Sequence, residues 1–83
     1  MQDRYDDAIN HYQTALPTYH QIGDRSGEAS TLLSMGRLSR AARTGDHTEY
    51  FAQAASIFRS IGLENWAAVA EREAVQGDGI ASS

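Results

Sequence analysis

The sequence predicts an all-α fold: an α-solenoid fragment of four antiparallel helices, arranged as two helix–turn–helix layers. Three observations predict it. Apolar residues recur at steps of three and four, the spacing of a helix buried along one side. Glycines fall where these stripes end, as suits a residue that accepts the left-handed position after a helix. The sequence also matches itself at a shift of 39 residues, within the range that marks stacked supersecondary units.

The first helix is expected at about 3–22, with the stripe Tyr5, Ala8, Ile9, Tyr12, Ala15, Leu16, Tyr19 and Ile22. Pro17 removes one backbone hydrogen bond and should bend it. The stripe keeps its phase from Leu16 to Tyr19 and Ile22, so one bent helix is expected rather than two. Gly23 ends it, and Asp24-Arg25-Ser26-Gly27 reads as a turn with a choice of N-caps. The second helix, about 26–43, carries Ala29, Leu32, Leu33, Met35, Gly36, Leu38, Ala41 and Ala42. That is wider than one stripe, as expected of a helix with neighbours on two sides. Thr44-Gly45-Asp46 breaks it, and Asp46 and Glu49 have the spacing of a capping box. The third helix, about 47–61, carries Tyr50, Phe51, Ala54, Ile57, Phe58 and Ile61, and Gly62 closes it. The fourth, about 64–76, carries Trp66, Ala67, Val69, Ala70 and Ala74. Gly77-Asp78-Gly79 should stop it, giving a helical module over 1–76 and a flexible tail at 77–83. The spacing puts Tyr5, Tyr12, Tyr19, Phe51, Phe58 and Trp66 in the core. Trp66 also reads, alternatively, as an exposed anchor at the end of the stack.

The 39-residue shift sets Tyr12 on Phe51, Ala15 on Ala54, Tyr19 on Phe58, Ile22 on Ile61, Gly23 on Gly62 and Ala29 on Ala68. The segment Tyr5 to Leu16, with Ala8, Tyr12 and Ala15, resembles the second helix of a tetratricopeptide repeat. Leu32, Met35 and Gly36 resemble the large, aliphatic and glycine signature of that family's first helix, with Leu32 in the usual tryptophan place. Ile22 to Ala29 resembles the linker of the long variant, whose period is near 40 residues. The resemblance covers about 4–76. Departures lie at His47 in a small-residue place, at Val75 in a glycine place, and at Pro17, which falls early. The order of helix types is second, first, second, first, which implies a piece of a longer array. Only two layers are present, so the outer faces of the first and last helices are expected to want cover. A homodimer or higher self-association is predicted, by end-to-end stacking or exchanged helices.

Composition narrows the function. The chain has 83 residues, 41% of them apolar, and no cysteine, which excludes disulfides and thiolate metal sites and favours a cytoplasmic setting. A domain of this size buries only roughly 60% of its unfolded surface, so its stability should be marginal. The apolar runs are far shorter than a membrane span. Net charge is −4 and all seven cations are arginine, which argues against nucleic acid as the main partner. The middle is basic and both ends are acidic. His11, His20 and His47 have no metal-ligand spacing. No phosphate-binding glycine loop or nucleophile elbow is present, so no catalytic residue, metal or cofactor is predicted, and the chain is not expected to be an enzyme.

The resemblance implies a protein–protein interaction module with a groove over the second and fourth helices. By register its lining is Ser30, Leu33, Arg37 and Arg40, then Val69, Arg72 and Gln76. Arg37, Arg40 and Arg72 would suit an acidic peptide or protein segment through bidentate bonds. The plainer reading pairs these arginines with nearby Glu or Asp. Two other functions fit the sequence: a purely structural segment of a longer array, and a regulatory or sensor domain of a larger signalling protein.

Overall fold

Glycine ends two of the four helices in the same way. In the computed structural model the backbone is described for residues 2–43 and 47–82, and side chains for 4–43 and 47–75. The elements are α1 (Gln2–Gln21), α2 (Arg25–Ala42), α3 (His47–Ser60) and α4 (Glu64–Ser82). Gly23 and Gly62 adopt φ of +77° and +83°, a region open to glycine without steric cost. After α1, the N–H of Gly23 donates to the His20 carbonyl at 3.2 Å and that of Asp24 to Tyr19 at 2.9 Å. After α3, the N–H of Gly62 donates to Arg59 at 3.1 Å and that of Leu63 to Phe58 at 2.8 Å. Both are Schellman closures. The next helix also opens alike: Glu28 N–H donates to the Asp24 carbonyl and Ala67 N–H to Leu63, each at 3.0 Å. These bonds of the first turn have their counterparts 39 residues on, so at the two turns the sequence repeat is also a repeat of backbone geometry.

Local chemistry sets the remaining ends. Asp24 is the N-cap of α2, its carboxylate accepting from the Gly27 N–H at 2.8 Å. Arg43 closes α2 in a left-handed conformation, φ 61°. The expected break at Thr44-Gly45-Asp46, with its Asp46 capping box, lies outside the described residues. Pro17 sits inside α1, which stays a single helix. One expectation fails. α4 runs on to Ser82, through the Gly77-Asp78-Gly79 stretch that was to stop it and into the segment read as a tail. Each glycine disfavours a helix by about 1 kcal/mol relative to alanine, a bias and not a prohibition.

Each helix packs on its neighbours in the chain, and α2 also touches α4; among the described residues α1 meets neither α3 nor α4. The result is a slab of 39 × 30 × 13 Å. The core lies where α2 and α3 cross: Ala29, Leu32, Leu33 and Met35 from α2 meet Phe51, Ala54, Ala55, Ile57 and Phe58 from α3, with Ala67 and Ala70 from α4. Gly36 carries no side chain because the Phe51 ring fills that space; a Cβ there would lie 2.7 Å from it. The buried hydroxyls are satisfied. Thr31 donates to the Gly27 carbonyl at 2.8 Å, and Ser39 meets the Tyr5 hydroxyl at 3.2 Å.

Five apolar residues of the expected stripes are exposed, Ala41 and Ala42 near the end of α2 and three larger ones. Trp66 is 50% exposed, with one face stacked on Phe58 at 5.9 Å between centroids. It starts α4, and no described element covers its other face. Ile22 is 69% exposed and Ile61 37%. Both sit in the turn beyond the last helical residue, where the stripe no longer faces a neighbouring helix.

Candidate functional site

The residues expected to line a groove differ in exposure. Ser30 is exposed, whereas Leu33 is 5% exposed and belongs to the core; α2 is wedged between α1 and α3, so its apolar arc is wider than a single stripe and takes Leu33 in. Val69 is partly buried and Arg72 is exposed. The Gln76 side chain lies outside the described residues.

Arg37 and Arg40 do come together, on an acid the sequence reading did not single out. They stand one turn apart on α2 and face Glu73 of α4. Arg37 donates from Nε to Glu73 Oε2 at 2.7 Å and from its Nη2 to the same oxygen. Arg40 donates from Nη2 to Oε1 at 2.9 Å and from Nη1 to the Glu73 carbonyl oxygen at 3.1 Å. Both carboxylate oxygens are thus engaged, and the Arg40 guanidinium also lies 5.4 Å over the Phe51 ring. The Glu73 side chain is only 13% exposed. The Arg37 hydrogen bond, with Arg40 adding to it against the opposing effect of burial, holds the Glu73 carboxyl below its ordinary value.

The sequence held a signal for Glu73. The 39-residue shift sets Glu73 on Ser34, which shares a face of α2 with Ser30 and Arg37. Arg72, next to Glu73, makes no ion pair among the described residues. A second ion-pair group ties α3 to α4: Arg59 donates to Glu71 at 2.8 Å and to Glu64 at 3.4 Å.

Several depressions were not foreseen, and two of them bear on the surfaces of α1 and α4. One, of about 550 Å³, lies between α3 and α4, with Ala52, Ala55, Ala74 and Val75 as its apolar lining and the Arg59–Glu71 pair at its edge. The other, of about 410 Å³, lies on α1 beside Arg4, Asp7, Ala8, His11 and Tyr12. The three histidines go to three places: His11 to the α1 depression, His20 to within 3.6 Å of Glu28, and His47 to the edge of the Phe51 ring. Among the described residues no helix is long and apolar enough to cross a membrane. No protein-family model, no curated protein and no solved structure matches the chain.

Proposed function

We propose that the chain is a protein–protein interaction module of tetratricopeptide-like, α-solenoid type, which binds an acidic peptide or protein segment across α2 and α4 in the cytoplasm. The observation that carries this reading is the convergence of Arg37 and Arg40 on one carboxylate. Two guanidinium forks, that of Arg40 lying over the Phe51 ring, address both oxygens of Glu73, and an aspartate, glutamate or C-terminal carboxylate of a partner presents the same acceptor geometry. Arg72, exposed beside Glu73, adds positive charge to this stretch of α4. The paired Schellman turns support the solenoid part, because matching closures are what successive stacked units would need.

The same clasp also favours a second reading, a purely structural segment of a longer array. Glu73 satisfies both arginines from within the chain and ties α2 to α4. Titration with a fluorescent oligoglutamate peptide separates the two. The interaction reading expects Glu73→Gln to strengthen binding, because the internal competitor is weakened, and Arg40→Glu to abolish it. The structural reading expects no binding by any variant and only a loss of stability.

A further inference from the structure

The clasp on Glu73 is unbalanced in charge. Arg37 and Arg40 bring two positive charges to one carboxylate. Arg72 stands beside Glu73 on α4, exposed and without an ion pair among the described residues. Glu71, on the other side of Arg72 in the chain, pairs instead with Arg59 of α3. The donors also outnumber the acceptors, so that Nε and Nη2 of Arg37 share the single oxygen Oε2. Arg40 does not depend on the Glu73 side chain for its place. Its guanidinium lies 5.4 Å over the Phe51 ring, and its Nη1 donates to the main-chain carbonyl of Glu73 at 3.1 Å. Both contacts remain if the carboxylate turns away. Arg37 is half-exposed, so its pair is open to solvent and weakened by it. The Glu73 carboxylate is the replaceable member of the clasp.

We infer that the acidic segment taken at α2 and α4 is a phosphorylated one, whose phosphate monoester displaces Glu73 from Arg37 and Arg40. This rests on the reading of α2 and α4 as an interaction surface and names the anion it takes. A partner's carboxylate repeats what Glu73 already offers, one charge and two oxygens, and Glu73 holds the advantage of a tethered competitor. A phosphorylated serine, threonine or tyrosine carries a charge of about −1.5 to −2 near pH 7 and three acceptor oxygens. That matches two guanidinium forks in charge and relieves the sharing of one oxygen. The net charge of −4 on the chain opposes extended polyanions such as nucleic acid or an anionic membrane. A single compact dianion on a protein segment meets only the local surplus of arginine.

The probes are short glycine–serine peptides with one central phosphoserine, glutamate or serine. They are titrated into the full chain and followed by the NMR signals of the arginine Nε–H groups, of which those of Arg37 and Arg40 should move. The phosphoserine peptide should bind at least about tenfold more tightly than the glutamate peptide, a gap of one further charge-assisted hydrogen bond. The serine peptide should not bind. Phosphoserine binding should strengthen between about pH 5 and 7, as the phosphate loses its second proton at about pH 6. Glutamate binding should stay level there, because its carboxyl ionises at about 4.3 and that of Glu73 lies below its ordinary value. Arg37→Gln should remove the phosphoserine preference, with circular dichroism checking that the helices are intact. Glu73→Gln, which keeps both arginines, should strengthen phosphoserine binding. Equal affinity for the phosphoserine and glutamate peptides overturns the inference and leaves the interaction reading standing. Absence of phosphoserine binding also overturns it, and absence of oligoglutamate binding as well overturns both. So does a preference that survives Arg37→Gln, or a phosphoserine affinity that Glu73→Gln leaves unchanged, count against the phosphate site. Inorganic phosphate or an anionic vesicle bound as tightly as the phosphoserine peptide overturns the assignment to a protein segment.

Discussion

At Gly36 two residue-scale effects oppose each other. Alanine in a helix interior is favoured over glycine by about 1 kcal/mol. Its methyl group, however, would meet the Phe51 ring at 2.7–3.0 Å, and Phe51 is fully buried between α2 and the rest of the core. Overpacking of this kind costs about 1–3 kcal/mol, and the ring has no solvent-facing side to move toward. Gly36→Ala should therefore lower stability by about 1 kcal/mol net, read as a lower urea midpoint at unchanged slope. A stabilised variant would show that Phe51 shifts freely. The sequence reading placed Gly36 on the apolar side of α2. The cause of the glycine was not legible, because that depends on a ring fifteen residues away on another helix.

At the scale of elements, the repeat makes a symmetrical prediction. Gly23 and Gly62 hold the same left-handed conformation, and a Cβ at either would meet nothing within 4 Å. Only backbone strain then opposes a side chain, about 1–2 kcal/mol. Gly23→Ala and Gly62→Ala should each cost about that much, and nearly the same amount, by chemical denaturation. Unequal losses would mean that the two turns carry different loads. These closures were the most legible part of the fold. A Schellman turn needs only a glycine at the right offset from an apolar stripe, and its bonds stay within six residues. The end of α4 was less legible because glycine biases a helix without terminating it.

At the scale of the whole molecule, the thin slab leaves few contacts between elements distant in sequence, and the Arg37–Glu73–Arg40 clasp is one of them. Hydrogen bonds to charged groups contribute roughly 1.5–3 kcal/mol when well ordered. Arg37 is half-exposed here, so solvent screens part of that, and Glu73→Gln should cost about 1–2 kcal/mol at neutral pH. The sign with pH follows from the depressed carboxyl. Its contribution is fully present above the ordinary value of 4.5 and is lost as pH falls through the lower folded-state value. The stability difference between the wild type and Glu73→Gln should thus be constant near pH 7 and shrink below about pH 4.5. A difference that stays constant to pH 2 would mean that the clasp carries no ionic stabilisation.

The sequence by itself determined the all-α class, four helices with ends within a residue or two for the first three, the turn glycines and the period of 39 residues. All of these follow from interactions between residues close in the chain: periodic burial, caps and left-handed closures. Tertiary structure alone decided that Leu33 is core, that Trp66 is half-exposed, and that Arg37 and Arg40 meet on Glu73. Each of those outcomes depends on which helix covers which face. An apolar or charged stripe states that a face needs a partner, but only the assembled packing says whether that partner is a ring, a carboxylate or solvent.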